Sequence, residues 1–432
     1  MNKEERKVNT ARKIDNVLFK YLWVLIILVV LAVGLVARYA VVRYSTNDIS
    51  GIVFNWMDQI RELGFKNMWQ VKADYSPLYI FMIALFTLLP DGPKVTEYGQ
   101  AYYLYDMYYL KTVQFVFDIL LAFGIFFVIH RITKNKWLST IGFAISFLLP
   151  VQAVNSGMWG QCDGFYTCMF VWAIYLIMAR KSWAGNILVG LALAVKLQAV
   201  FILPLLVYLW VKRKTHIWDL LFMAIGFFVT FIPYWILGSG FLTPFKFISA
   251  QVGGYSSLTL GAGSIWHLFE YRHSSANVPL LSRFALFIGL GLIGIFFIII
   301  FARRIKLNNE AIITVGTFLI GIVPFFLPHM HERYFYALDV LVVAYCLVRK
   351  KHYYLIPLMQ VSSGIAYYHY LSGKYFIEAL GEDSVHLCTF INLAVLIVLF
   401  IDIMKLERLP AGVTDREYNQ ELKLTEGIKK EQ

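Results

Sequence analysis

The sequence predicts an all-α polytopic membrane protein of about 12 transmembrane helices (11–13), with a re-entrant or interfacial helix in a long first exterior loop. Three observations carry that expectation. Of 432 residues, 59% are hydrophobic and only 15% charged, and the mean hydropathy is +0.63. Apolar runs of membrane length recur from residue 22 to residue 404. The Lys and Arg residues behind the net charge of +12 sit in short clusters between those runs, as the positive-inside rule expects, and form no stripe for nucleic acid.

The elements follow in order. Residues 1–21 are a basic N-terminus with Lys3, Arg6, Lys7, Arg12, Lys13 and Lys20, expected to stay cytoplasmic. The run 22–43 is long and has no small-residue cleavage site, so it reads as an uncleaved first span. Placing the basic loops at 131–136, 180–181, 212–214, 303–304 and 349–351 on the cytoplasmic side sets the later spans near 112–130, 138–153, 164–179, 184–195, 198–211, 216–237, 283–302, 310–327, 334–348, 353–371 and 387–404. Residues 77–90 are apolar but short for a crossing, hence the re-entrant or interfacial reading, and Tyr98–Tyr109 joins that shelf. The run 184–210 carries Lys196 in its middle, which favours a hairpin of two short helices turning at that lysine. The membrane domain thus covers 22–404, and 405–432 is a charged tail expected to be solvated in the cytoplasm. Cys162, Cys168, Cys346 and Cys388 form no CxxC pair, and neither a disulfide framework nor a zinc knuckle is indicated.

On this scheme the exterior loops are 44–111, 154–163, the turn at 196, 238–282, 328–333 and 372–386, and nearly every polar motif falls on that one side. Gly253-Gly254 and Gly261-Ala262-Gly263 suit the loop 238–282 to gate a cavity. Asp48 reads either as a general base or as an N-cap for 49–63, and Asp74 before Tyr75-Ser76-Pro77 reads as a turn former. Asn155, Gln161 and Asp163, beside Trp159, can bind sugar hydroxyls or form a plain polar loop. Lys196 needs an anion, and Asp118 is a candidate partner alongside a phosphate.

The cluster His329-Met330-His331-Glu332-Arg333-Tyr334 admits three readings. His-x-His can chelate a metal, but position 335 is Phe, so the HExxH arrangement fails. A structural cap is the second reading. The third is anion binding, with Arg333 as a fork for phosphate oxygens and the imidazoles as further donors.

Asp48, Asp74-Tyr75-Ser76-Pro77-Leu78, Trp159-Gly160-Gln161-Cys162-Asp163, Lys196-Leu197-Gln198 and the histidine cluster occur in an order that resembles the GT-C superfamily of integral-membrane glycosyltransferases. Bacterial proteins related to the second mannosyltransferase of GPI-anchor synthesis are the nearer resemblance, and the glucosyltransferases of asparagine-linked glycan assembly a more distant one. The resemblance covers residues 20–405. It implies inverting transfer of a hexose from a polyprenyl-phosphate donor to a glycan or glycolipid acceptor on the non-cytoplasmic face of, by expectation, a bacterial plasma membrane. Asp48 matches the first-loop aspartate acting as base; Lys196, His329, His331 and Arg333 would bind donor phosphate. Asp74, Tyr75, Asn155, Trp159, Gln161, Asp163, Gln198 and Glu332 would shape the sugar and acceptor sites. Ser76 departs from the first proline of the DYPPL-like motif, and Arg333 stands where the glucosyltransferases have lysine. No second acidic residue adjoins Asp48, so a cofactor-free, metal-independent reaction is expected. The competing classes are a transporter or flippase of lipid-linked saccharides and a polysaccharide polymerase.

Overall fold

A computed structural model describes residues 3–422 except 74, 98–99, 252–256, 271–277, 379–380 and 382. Its helices in chain order are α1 (Lys3–Ala40), α2 (Phe54–Leu63), α3 (Pro77–Phe86), α4 (Leu104–Thr133), α5 (Lys136–Leu148), α6 (Pro150–Ala153), α7 (Asp163–Met178), α8 (Ser182–Leu193) and α9 (Leu203–Val211). They continue with α10 (Asp219–Val229), α11 (Ile232–Ile236), α12 (Thr243–Gln251), α13 (His267–Glu270), α14 (Val278–Ala302), α15 (Asn309–Phe326), α16 (Tyr336–Arg349), α17 (Leu355–Ser372) and α18 (Asp383–Met404). Two antiparallel strands, β1 (Lys94–Glu97) and β2 (Gln100–Tyr103), precede α4.

Among the described residues, five helices are long and apolar enough to cross a membrane: Lys20–Ala40, Leu104–Thr133, Val278–Ala302, Asn309–Phe326 and Ser384–Met404. The bent pair 136–148 and 150–159 makes a sixth when counted as one span. The protein is therefore an integral membrane protein with a central helix, α15, buried over 83% of its apolar window and a lipid-facing one, α14, buried over only 22%. Phe287 on α14 is 73% exposed, which lipid rather than water accommodates.

Local chemistry explains where helices stop. Leu149 adopts ψ 125° ahead of Pro150, and the chain bends by 48° there, so the expected single span 138–153 is broken. The expected span 216–237 likewise divides at Thr230-Phe231 before Pro233. Helix α3 is ten residues, about 15 Å, or half a hydrocarbon core. The aromatic stretch expected to lie on an interfacial shelf instead supplies β2 and the first turns of α4, which begins at Leu104. Arg61 of α2 binds Asp91 at 2.6 Å and Asp106 at 2.8 Å, tying the first loop to α4.

The tail makes specific contacts with the loops between the helices. Leu409 N donates to Arg304 O at 2.8 Å, Lys306 N to Glu407 O at 2.8 Å, and buried Lys212 pairs with Asp415. The described part of the tail, to residue 422, is thus anchored to the basic loops at these points, while most of its residues stay exposed.

Candidate functional site

Asp48 opens the π-helical turn Asp48–Val53, and Asn47 before it makes no side-chain cap. The Asp48 carboxylate does not cap its own helix. Its Oδ2 accepts from Trp159 Nε1 at 3.0 Å and Gln161 Nε2 at 2.6 Å, and its Oδ1 accepts from Tyr370 Oη at 2.6 Å. The side chain remains 21% exposed. Both Oδ2 donors depend on the residue between them: Gly160 sits at φ 77°, and a Cβ there would meet Ile49 Cδ1 at 3.0 Å and Lys111 Cε at 3.1 Å. A glycine lets the segment turn against the Asp48 helix and aim Trp159 and Gln161 at one oxygen.

A buried charge network adjoins the aspartate. Arg333 Nη1 lies 4.0 Å from Asp48 Oδ2 and 2.5 Å from Glu332 Oε1, and its Nε lies 3.7 Å from Asp163 Oδ2. Lys196 Nζ donates to Asp163 Oδ1 at 2.9 Å, and Asn155 Nδ2 to Asp163 Oδ2 at 2.9 Å. Asp163 is therefore the carboxylate between two cations. Asp118 is not the partner of Lys196: it accepts from Arg38 Nε at 2.8 Å and Ser156 Oγ at 2.6 Å, fastening α1 to α4. The chain breaks at Lys196, as expected, but the ammonium turns inward to 5% exposure instead of resting at a solvated turn. Trp159 and Tyr334 lie under the Arg333 guanidinium at 5.1 and 5.9 Å.

Burial opposes the charge of Glu332, but Arg333 and His331 outweigh it and hold its carboxyl below the ordinary glutamate range. Burial likewise works against Arg333, yet Glu332, Tyr75 and Asp163 raise its pKa well above the usual value, so the guanidinium stays charged. His331 goes the other way. Burial depresses its imidazole pKa despite Glu332, whose Oε2 is 3.7 Å from Nδ1.

His329 adopts φ 62°, and its Nδ1 bonds to Ser257 O at 2.6 Å. It lines an apolar cavity of about 570 Å³ together with Gln198, Tyr334, Arg283 and Phe201. The neighbouring part of the loop expected to gate the site is fixed. Leu260 N donates to Met330 O at 2.9 Å and Glu332 N to Leu260 O at 3.1 Å. Gly253-Gly254 and Asp74 lie outside the described residues. Tyr75 Oη donates to Gln161 Oε1 at 3.0 Å and its ring lies 5.6 Å from Lys196 Nζ, so it supports both walls. Gln198 Nε2 donates to Tyr334 Oη. Among the described residues, Asn155 Oδ1, Gln198 Oε1 and Arg333 Nε are buried here without a hydrogen-bond partner, although Arg333 Nε has the Asp163 carboxylate at 3.7 Å. Among the described residues no group of three His, Cys, Asp or Glu side chains is placed to hold a metal ion.

Sequence reasoning missed Tyr370, Tyr367 and Lys111. Tyr370 stacks on Trp159 at 4.3 Å, and Tyr367 accepts from Asn155 at 3.2 Å. Lys111 Nζ donates to Val42 O, Tyr44 O and Met158 O at 2.9, 2.6 and 3.0 Å, joining the end of α1 to the Trp159 segment. The only signal for the tyrosines was their density at the end of an apolar run.

The Trp159–Asp163 and Lys196 segments that build this site lie inside residues 74–328, which match the model of glycosyltransferase family 87. The chain belongs to that family. It is a membrane glycosyltransferase, and the region matched to family 87 contains Asp163, Lys196, Trp159 and Gln161, whereas Asp48, Arg333 and Tyr370 lie outside it. A comparison with curated proteins yields no match.

Proposed function

We propose that the protein is an inverting hexosyltransferase that uses a polyprenyl-phosphate sugar of the mannose, glucose or galactose type. The acceptor is a lipid-linked or cell-surface glycan on the non-cytoplasmic side of a bacterial plasma membrane. The observation that carries this reading is the position of Asp48: partly exposed, oriented by three donors, and 4.0 Å from a buried arginine.

In the proposed step, the acceptor oxygen attacks the anomeric carbon, its proton passes to Asp48, and the bond from the anomeric carbon to the phosphate oxygen breaks with its electron pair going to phosphate. Oδ1 of Asp48 takes one donor only, which leaves an acceptor position for the hydroxyl proton. Arg333 offers the departing phosphate a planar fork, with Lys196 behind it. Because Arg333 and Asp48 stand at 4.0 Å without a hydrogen bond, and Glu332 is the nearer counter-ion, a donor phosphate would draw the guanidinium off the aspartate and leave the base free. The orphan atoms of Asn155 and Gln198 suit sugar hydroxyls, since buried polar atoms seldom go unpaired. The cavity beside Tyr334, walled by Phe201, Leu286, Leu327 and Met330, suits an isoprenoid chain.

The orientation belongs to the same proposal: about twelve crossings, both termini cytoplasmic, and no metal in the reaction. Support comes from the hairpin at Lys196, whose break meets the site while residues 180–182 and 210–218 at its other ends line one cavity. The test is turnover by purified protein with a polyprenyl-phosphate hexose and glycolipid acceptors. Asp48→Asn should lose about 10²–10⁴-fold while melting normally. Full turnover by a folded Asp48→Asn variant would remove the aspartate from its role.

A further inference from the structure

One wall of the apolar cavity of about 570 Å³ is α14, the lipid-facing helix, through Pro279, Ser282, Arg283 and Leu286. The helix runs for 25 residues, about 38 Å, against about 30 Å of hydrocarbon. Arg283, about 8 Å along the axis from Val278, therefore lies close to the edge of the hydrocarbon. Its neighbours along the helix, Leu280, Phe284 and Phe287, are all exposed, so the surface around it is one that lipid covers.

Two polar groups on this wall lack counterparts. Among the described residues Arg283 has no carboxylate partner, and none of those lining the cavity is acidic. Ser282 Oγ is buried without a hydrogen-bond partner, although a serine inside a helix commonly bonds back to a carbonyl one turn earlier. An arginine on a lipid-facing helix calls for an anion. The cations of the reaction site differ in this respect: Arg333 has Glu332, and Lys196 has Asp163 at 2.9 Å. Tyr334 is the wall shared by the two regions, since it lines the cavity and its ring lies 5.9 Å from Arg333 and 5.8 Å from Lys196.

Glycosyl transfer changes the charge on the lipid. The donor is a phosphodiester with one negative charge, whereas the polyprenyl phosphate left behind is a monoester carrying about −1.5 to −2 at pH 7. That added charge meets Arg333 and Lys196 already paired with carboxylates, and Arg283 not.

We propose that Arg283 and Ser282 hold the phosphate monoester of polyprenyl phosphate, the lipid left by the transfer, at the membrane edge of this cavity; this rests on the polyprenyl-phosphate donor proposed above. The phosphate accepts from the Arg283 guanidinium and from Ser282 Oγ, the first isoprene units lie against Phe201, Leu286 and Leu327, and the rest of the chain runs into the bilayer. A free phosphate would meet the same two donors, but the apolar lining and the exposed Leu280, Phe284 and Phe287 offer it nothing.

The experiment is native mass spectrometry of the full chain released from phosphatidylcholine nanodiscs containing either undecaprenyl phosphate or undecaprenol, counting the retained polyprenyl lipid. R283Q should retain at least about tenfold less undecaprenyl phosphate and as much undecaprenol as the parent, and R283K should recover most of the loss. K66Q, which alters an exposed lysine of the first loop, should match the parent. Melting curves confirm that R283Q folds. Equal retention of undecaprenyl phosphate by folded R283Q, or an equal loss of the alcohol, would overturn the site and leave the donor reading standing. A parent that holds no more of the phosphate than of the alcohol would sink both. Displacement by millimolar inorganic phosphate would assign Arg283 to a soluble ion, and equal retention of phosphatidic acid by the parent would assign it to lipid phosphates in general; either result overturns the proposal.

Discussion

Tyr370 Oη donates to Asp48 Oδ1 at 2.6 Å although the two residues stand 322 positions apart. The tyrosine ring also stacks on Trp159, itself a donor to the other oxygen of the same carboxylate. The end of α17 therefore closes over the first loop and fixes how Asp48 presents its remaining lone pair.

Tyr370→Phe keeps the stack and removes one donor. A hydrogen bond to a charged acceptor contributes about 1.5–3 kcal/mol, so kcat should fall roughly 10- to 100-fold with little change in melting temperature. Hexose-transfer kinetics set beside a melting curve check this. Unchanged kcat would mean that Trp159 and Gln161 orient Asp48 by themselves.

Lys196→Met leaves Asp163, fully buried, with Arg333 at 3.7 Å and Asn155 at 2.9 Å. Breaking a buried pair from one side costs about 3–5 kcal/mol, and the surviving partners set the expectation at the lower end. Asp163→Asn should cost at least as much, because it strips a counter-ion from two cations. Thermal unfolding in one detergent ranks the two variants; a Lys196→Met protein as stable as the parent would show that the ion pair adds nothing to stability.

Arg333→Lys retains positive charge and loses the fork that reaches Glu332, Asp163 and Asp48 together. It also loses the planar face over Trp159. Turnover should drop about 10- to 100-fold, with a rise in donor KM if phosphate binding is the function lost. A lysine variant with parental kcat and KM would reduce Arg333 to a point charge.

Acid should loosen this corner of the protein in two stages. His331 has a folded pKa below its ordinary value, so the unfolded chain binds more protons, and stability falls as pH drops below about 6.5 until the folded imidazole titrates. Glu332 has a lowered pKa as well, so its contribution is present above about 4.3 and disappears as pH falls through its folded value. Melting temperatures between pH 7 and pH 4 should show a shallower decline above pH 5 for His331→Gln than for the parent. Superimposable curves would exclude the imidazole as the source.

Much of the fold was legible in order and much of the site in content. Spans expected at 283–302, 310–327 and 387–404 correspond to α14, α15 and α18, and that at 164–179 to the shorter apolar helix α7, because an apolar run bounded by charge reports its own limits in lipid. The broken spans at Pro150 and Pro233 and the strands at 94–103 were less visible, since hydropathy does not distinguish a straight run from a bent one. Asp48, Asp163, Lys196 and Arg333 stand out in the sequence as polar groups at apolar boundaries, which burial cost makes conspicuous. Which carboxylate pairs with which cation was another matter. Asp118 and Asp163 both compete for Lys196 on paper, and only packing, with Arg38 reaching Asp118 from α1, decided it.

By itself, then, the sequence determined that the chain lives in a membrane, where its apolar runs begin and end, and which few residues are too polar to be there without a task. Composition and burial cost are local quantities, and local quantities can be read along a line. Only the tertiary structure decided that Asp48 is held by Trp159, Gln161 and Tyr370, that His329 shares a cavity with Arg283 and Phe201, and that residues of the tail line a cavity with Arg180 and Arg213. Those are distances between residues remote in sequence, set by how helices pack, and a hydrogen bond's range of about 3 Å is far finer than any spacing a sequence records.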